Sequence, residues 1–292
     1  MTIAVASGKG GTGKTTVAVS LALSLEGSVV LMDCDVEAPN SHIFLHPIIA
    51  GEENVYISVP RIDESKCNGC GECSEICQFN AIVVPKNKPL LFLELCHGCG
   101  GCAMVCPKGA ISEEKRKIGV VEEGWGMGIH SIHGSLSVGE PISPPIIKKI
   151  KQKQNTGETV IIDSPPGTTC PAVESVRGSD YAILVAEPTP FGLNDLILSV
   201  EMVKKLAIPC GVVLNRWDDE RTIIEDYCLN EGIPIFLKIP EDRKIAEAYS
   251  RGVALIDVIP ELTTAFRELI GRIKKELSSQ TGKVEPSCTN LL

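Results

Sequence analysis

Aromatic residues are scarce, at 4% of 292 residues, too few for a platform on which nucleic-acid bases stack. Excess basic charge is missing as well: 28 Lys and Arg stand against 37 Asp and Glu, a net charge of −9. Nonspecific binding to a phosphate backbone runs on basic patches, so nucleic acid is not an expected partner. No uncharged apolar run reaches the roughly 18 residues of a membrane span. The opening residues, MTIAVASGKGG, read as neither a signal peptide nor a transit peptide, so the cytoplasm is the expected location. Hydrophobic residues at 43% and charged residues at 22% are ordinary for a globular protein with a sizeable core. Cysteine is the exception. There are 13, eight of them between Cys67 and Cys106. The odd count and the absence of an export leader favour clustered thiolates on metal over disulfides.

The chain opens as strand, glycine turn, helix, strand: Ile3–Ala6, residues 8–13, Thr15 to Glu26, then Val29–Met32. The pattern resumes with strands at Val160–Ile162, Tyr181–Ala186, Cys210–Leu214 and Ile235–Leu237. Helices are expected around Asn194–Leu206, Thr222–Asn230, Arg243–Ser250 and Leu262–Leu277. Short, continuously apolar strands suit a sheet covered on both faces, so the expected class is α/β, a mostly parallel sheet flanked by helices. Residues 61–112 break the rhythm with an internal repeat. Cys67–Ile82 and Cys96–Ile111 match at 8 of 16 positions. This reads as a small inserted domain, with 1–60 and 113–280 as the two parts of the larger one and 281–292 as a tail.

Gly8-Lys9-Gly10-Gly11-Thr12-Gly13-Lys14-Thr15 fits G-x-x-x-x-G-K-[ST] between a strand and a helix. Glycines let successive N–H groups converge on phosphate oxygens at the positive end of the next helix, which Thr16 continues. Lys14 is placed to neutralise the outer phosphates, and the Thr15 hydroxyl to bind Mg²⁺. With its second lysine, Lys9, the loop resembles the deviant KGGxGKT loop of the MinD/ParA family, which includes the nitrogenase iron protein and iron–sulfur carrier ATPases. The resemblance implies ATP, Mg²⁺, a nucleotide-dependent homodimer, and a role for Lys9 across its interface. Asp33-Cys34-Asp35 resembles the family's D-x-D, which implies Asp33 in the Mg²⁺ shell and Asp35 orienting the attacking water. Asp163-Ser164-Pro165-Pro166-Gly167-Thr168 resembles the switch of the carrier branch, with Asp163 as a further Mg²⁺ partner. Val213-Leu214-Asn215-Arg216 resembles the adenine-contacting strand end, although Asn215 to Asp218 also resembles the guanine reader of G-proteins. Pro240 and Glu241 fall where the family places its base-side loop, and Asp242 equally fits a helix N-cap before Arg243.

Cys67, Cys70, Cys73 and Cys77 follow C-x₂-C-x₂-C-x₃-C, and Cys96, Cys99, Cys102 and Cys106 repeat it before Pro107. This resembles the bacterial ferredoxin signature for two 4Fe–4S clusters, and so a small α+β ferredoxin-like domain. The family's crossed arrangement implies one cluster on Cys67, Cys70, Cys73 and Cys106 and the other on Cys96, Cys99, Cys102 and Cys77. Gln78 replaces the usual proline after the first run. Zinc is the alternative, though it rarely uses four cysteines in this run.

Cys170, seven positions after Asp163, fits either a bridging metal site or an ordinary exposed or buried thiol. Cys34, Cys210 and Cys228 lie on apolar elements and read as core. Gly124 to Gly134, with His130 and His133, reads as a mobile glycine-rich connector rather than a metal pair. The last helix carries Ala265, Phe266, Leu269, Ile270, Ile273 and Leu277 on one face. It reads as the closing helix rather than a membrane-binding one. The whole suggests an ATPase coupling hydrolysis to electron transfer toward a redox or metalloprotein client. Two alternatives stand beside it: metallocentre assembly, and a positioning or redox-sensing switch.

Overall fold

The computed structural model describes residues 1–218 and 222–281. Cys288 and the rest of the tail after 281 lie outside them. Strand β1 (Thr2–Ala6) ends at the glycine loop, α1 (Lys14–Ser24) leaves it, and β2 (Val29–Asp33) follows. A short α2 (His42–Leu45) leads into the 15-residue β3 (Ile48–Ile62). The cysteine segment then holds α3 (Glu72–Ile76), β4 (Ile82–Val83), β5 (Leu90–Leu91) and α4 (Gly101–Val105). The 16-residue β6 (Ile111–Gly126) and β7 (Ile129–Leu136) bring the chain back. Next come α5 (Pro144–Lys151), β8 (Thr159–Asp163), α6 (Cys170–Val176), β9 (Tyr181–Ala186) and α7 (Pro190–Lys205). The chain closes with β10 (Cys210–Trp217), α8 (Ile223–Glu231), β11 (Ile235–Pro240), α9 (Arg243–Tyr249), α10 (Leu255–Val258) and α11 (Glu261–Thr281).

Nine strands form one sheet in the order β11-β10-β9-β1-β8-β2-β7-β6-β3. The first seven are parallel, and β6 and β3 extend the sheet antiparallel. Alternate side chains enter two cores, as a period of two requires. From β1, Ile3 and Val5 face the core built with α1 and α11, while Ala4 and Ala6 face the core built with α5, α6, α7 and α8. The central parallel strands are therefore the middle of three layers, with both their faces dry, while much of β3 and β6 is exposed. In α11, Phe266, Leu269, Ile270 and Ile273 are buried in the first of these cores, so the apolar face closes the fold. Among the described residues no helix is long and apolar enough to cross a membrane.

The segment expected to be a glycine-rich connector is instead ordered sheet. Strands β6 and β7 form a hairpin whose turn, Met127-Gly128, has φ of 50° and 80°, the double left-handed geometry that matches strand twist. Its glycines answer a packing need. A Cβ on Gly126 would stand 2.1 Å from the Leu45 carbonyl oxygen at the end of α2. Beyond the hairpin, β3 and β6 continue as a two-stranded ribbon, paired from Ile48↔Trp125 to Ile62↔Ile111. The cysteine segment sits at the far end of that ribbon.

Candidate nucleotide cleft and cysteine cavities

A cleft of about 580 Å³ opens at the carboxyl ends of the parallel strands, where open α/β sheets place their ligands. Gly10, Gly11, Gly13, Lys14, Thr15, Thr16 and Asp35 line one side of it. Gly13 precedes α1 at φ 91°, and no side chain caps the helix, so its first N–H groups face the cleft. Gly8 packs beneath the loop, where a Cβ would meet the Asp195 carbonyl oxygen at 2.2 Å.

The strand register brings the acidic groups together. Asp33 ends β2 directly opposite Asp163 at the end of β8. The Thr15 hydroxyl donates to Asp163 Oδ2 at 2.6 Å, and Asp163 Oδ1 is buried without a partner. Asp33 accepts from the backbone N–H groups of Asp35, Asn40 and Ser41 at 3.1, 2.9 and 3.0 Å. Burial, reinforced by Asp33, pushes the Asp163 carboxyl well above its usual range. The same two causes push Asp35 up to about 6. Burial also lowers the pKa of the Lys14 ammonium, while Asp163, Asp35 and Asp33 pull it back up. A buried, unpaired carboxylate oxygen beside a threonine hydroxyl is the donor set a hard cation takes, so the residues fit Mg²⁺.

Asn215, Arg216, Pro240 and Glu241 also line the cleft. Asn215 Nδ2 donates to the Thr12 carbonyl at 2.7 Å, tying the loop to β10. Asp242 lines the cleft and also caps α9, accepting from the Lys244 N–H at 2.8 Å. Lys9 does not line the cleft. Its Nζ pairs with Glu187 Oε2 at 3.0 Å, and Arg216 pairs with Glu187 Oε1 at 2.8 Å. Asn40 and Tyr249, which line the cleft, and Glu187, which pairs with Lys9 and Arg216 beside it, are residues that sequence reasoning missed. Tyr249 lines the cleft and accepts a hydrogen bond from Asn40 Nδ2 at 3.4 Å. No motif spacing marks any of the three, which arrive from three separate loops and helices.

The eight clustered cysteines line two further cavities. One is bounded by Cys67, Cys70, Cys73 and Cys106, and the other by Cys77, Cys96, Cys99 and Cys102. Each run gives three thiols to one cavity and its fourth to the other. Gly71 and Gly100, at φ 90° and 74°, start α3 and α4 in equivalent places. Among the described residues no group of three or more His, Cys, Asp or Glu is gathered to hold a metal ion. His97 stacks on Phe79 with ring centroids 3.7 Å apart. His130 stacks on Trp125, and His133 stacks on His42 while Nε2 faces Glu122 at 3.2 Å. Cys170 is exposed at the start of α6; Cys34 and Cys228 are buried and Cys210 half-buried.

A phosphate-type loop at the end of β1, facing acidic strand ends across a parallel sheet, defines a P-loop nucleotide-binding protein. The chain belongs to the CobQ/CobB/MinD/ParA nucleotide binding domain family, whose model matches residues 3–256. It is 36% identical over 286 residues to an uncharacterized protein of Methanocaldococcus jannaschii, covering 94% of this chain and 97% of that one. It is 26% identical over 321 residues to an iron–sulfur cluster carrier protein of Pyrococcus abyssi, covering 94% of this chain and 89% of the relative. Its fold matches that of the septum site-determining protein MinD complexed with Mg-ADP from Pyrococcus horikoshii, with a TM-score of 0.58 at 21% identity over 97% of this chain and 100% of that one.

Proposed function

We propose that the protein is an ATPase that couples ATP binding and hydrolysis to electron transfer through two 4Fe–4S clusters toward a partner protein. The carrying observation is that one chain holds both a phosphate-loop cleft and, at the end of a ribbon from the same sheet, two cavities of four cysteines each. Thr15, Asp33 and Asp163 would hold Mg²⁺, which supplies charge neutralisation when bound. Lys14 and the N–H groups of residues 10–16 would grip the phosphates, and Asn215, Arg216, Pro240 and Glu241 the base. Asp35, with its pKa raised to about 6, is suited to orient water and take its proton near neutral pH. Lys9 would leave Glu187 and act on the partner's phosphates in an ATP-bound homodimer.

Cys67, Cys70, Cys73 and Cys106 would hold one cluster and Cys77, Cys96, Cys99 and Cys102 the other; when bound, each stores one electron. Eight thiols and a net charge of −9 fit a redox or metalloprotein client better than a nucleic acid. A second reading, assembly of an iron–sulfur centre on a client, is favoured by the relatives named as cluster carriers. Anaerobically purified protein should carry about eight irons per chain, as two four-iron clusters require. Its cluster potentials should shift when a non-hydrolysable ATP analogue binds. Iron-free protein rules out both readings. Iron that leaves for an apo-client during turnover, with fixed potentials, favours assembly.

A further inference from the structure

The two cysteine cavities differ in what surrounds them. The Cys67 cavity is lined by Ile62 and Ile111 at the end of the ribbon, by Val84 and Pro89, and by one carboxylate and one ammonium: Glu72, and Lys108 in the turn after Cys106. The Cys96 cavity lies further along the ribbon, where Ser58 and Pro60 of β3 and Glu113 of β6 line it, and its lining carries the Glu113 carboxylate with no lysine or arginine to offset it. Contact there is close. A Cβ on Gly98, at φ 66°, would stand 2.9 Å from the Ser58 carbonyl oxygen, and a Cβ on Gly100 would stand 3.1 Å from Glu113 Oε1. The Glu113 carboxylate therefore lies against the loop between Cys99 and Cys102. Its position is fixed by the ladder, in which Glu113 pairs with Pro60.

Reducing a cluster adds one electron. A carboxylate beside it opposes that charge and an ammonium favours it. From this, and resting on the two-cluster reading above, we propose that Glu113 sets the potential of the Cys96-side cluster, holding it below that of the Cys67-side cluster, where Lys108 offsets the Glu72 carboxylate. An electron from an external one-electron reductant then settles first on the Cys67 side, with no bond made or broken. Delivery onward from the Cys96 side depends on the ribbon that carries Glu113. Glu113 acts by position and ligates nothing.

The test is an anaerobic redox titration with dithionite, followed by electron paramagnetic resonance, on full-length protein of measured iron content. The wild type should show two one-electron waves. Glu113→Gln should raise the lower wave by a tenfold change in the reduced-to-oxidised ratio, about 59 mV for one electron, and leave the upper wave in place. Glu113→Asp, which keeps the charge, should restore most of the wild-type separation. Lys108→Gln should lower the upper wave alone. Iron-loaded Glu113→Gln protein with both waves unmoved, or with only the upper one moved, overturns the assignment. Wild-type protein without iron removes the two-cluster reading itself, a distinguishable failure. If Glu113→Gln loses iron from one site while Glu113→Asp titrates as wild type in number but not in separation, charge is not the cause and the assignment falls.

Discussion

Three carboxylates and one ammonium share the floor of the cleft, and their placement sets what each substitution does. Lys14 is 6% exposed and compensates Asp163, Asp35 and Asp33. Lys14→Ala leaves phosphate charge without its main counterion, so ATP hydrolysis should fall by about 10²–10³, as for other transition-state donors. Steady-state phosphate release measures this, and unchanged turnover would remove the loop from the mechanism. Thiols divide on the same physical ground. Burial pushes Cys210 up to about 11 and Cys228 up to about 12, and raises Cys34 further. At pH 8 only about a thousandth of Cys210 is thiolate, and less of the other two, so native alkylation should spare all three. Peptide mass spectrometry after iodoacetamide reads this directly, with Cys170 as the exposed control. Burial also holds the His133 imidazole below its ordinary 6.5, against the pull of Glu122. In that window the unfolded chain binds more protons, so stability is full above 6.5 and falls as pH drops toward the folded value. His133→Gln should flatten that slope in urea melts taken between pH 5 and 7.

At the scale of elements, the parallel strands β1, β2, β8 and β9 were legible because each is buried on both faces and reads as an apolar run, whereas the parallel β7, IHSIHGSL, carries no such run and was read as a connector. The ribbon was not. The far half of β6, Ser112–Lys117, is mostly exposed and charged, so neither the alternating nor the continuous pattern marks it as strand. The glycines of β6 and β7 suggested a loose connector because their reason lies in other segments. At Gly134 a Cβ would stand 2.6 Å from Ile146 and 2.9 Å from Ile150 and Val36. These positions let α5 lie flat on the sheet with Ile146, Ile147 and Ile150 buried. Gly134→Val should therefore destabilise the fold by about 1–3 kcal/mol or more through overpacking. An unchanged urea midpoint would mean that α5 does not rest on this strand. The site divides in the same way. The glycine loop, the two acidic strand ends and the cysteine runs have fixed spacing, whereas Asn40 and Tyr249 depend on folding to reach the cleft, and Glu187 to reach Lys9 and Arg216.

Across the whole molecule, a chain of contacts leads from the cleft to the cysteine cavities. Asp33 holds the N–H groups of Asn40 and Ser41, and Ser41 opens into α2 through the Leu45 N–H. Leu45, at the end of α2, abuts the backbone of Gly126 in β6. Strand β6 then runs to Glu113 at the second cavity, its ladder with β3 shifting register at Ile49/Gly51 and at Val55/Tyr56. On the proposed reading, a cation and triphosphate arriving at Asp33 would act on the first of these contacts, and among the described residues β3 is the edge of the sheet. Coupling between sites of this kind is typically about 1–3 kcal/mol, roughly 5–150-fold. Amide hydrogen exchange should therefore slow by at least about fivefold in residues 34–45 and along β3 and β6 when Mg²⁺ and a non-hydrolysable ATP analogue bind. Lys14→Ala protein should show no such change. Protection confined to the glycine loop, β10 and α9, with the ribbon exchanging as before, would leave the cleft and the cysteine cavities as independent modules. The potentials of any bound clusters would then be indifferent to nucleotide.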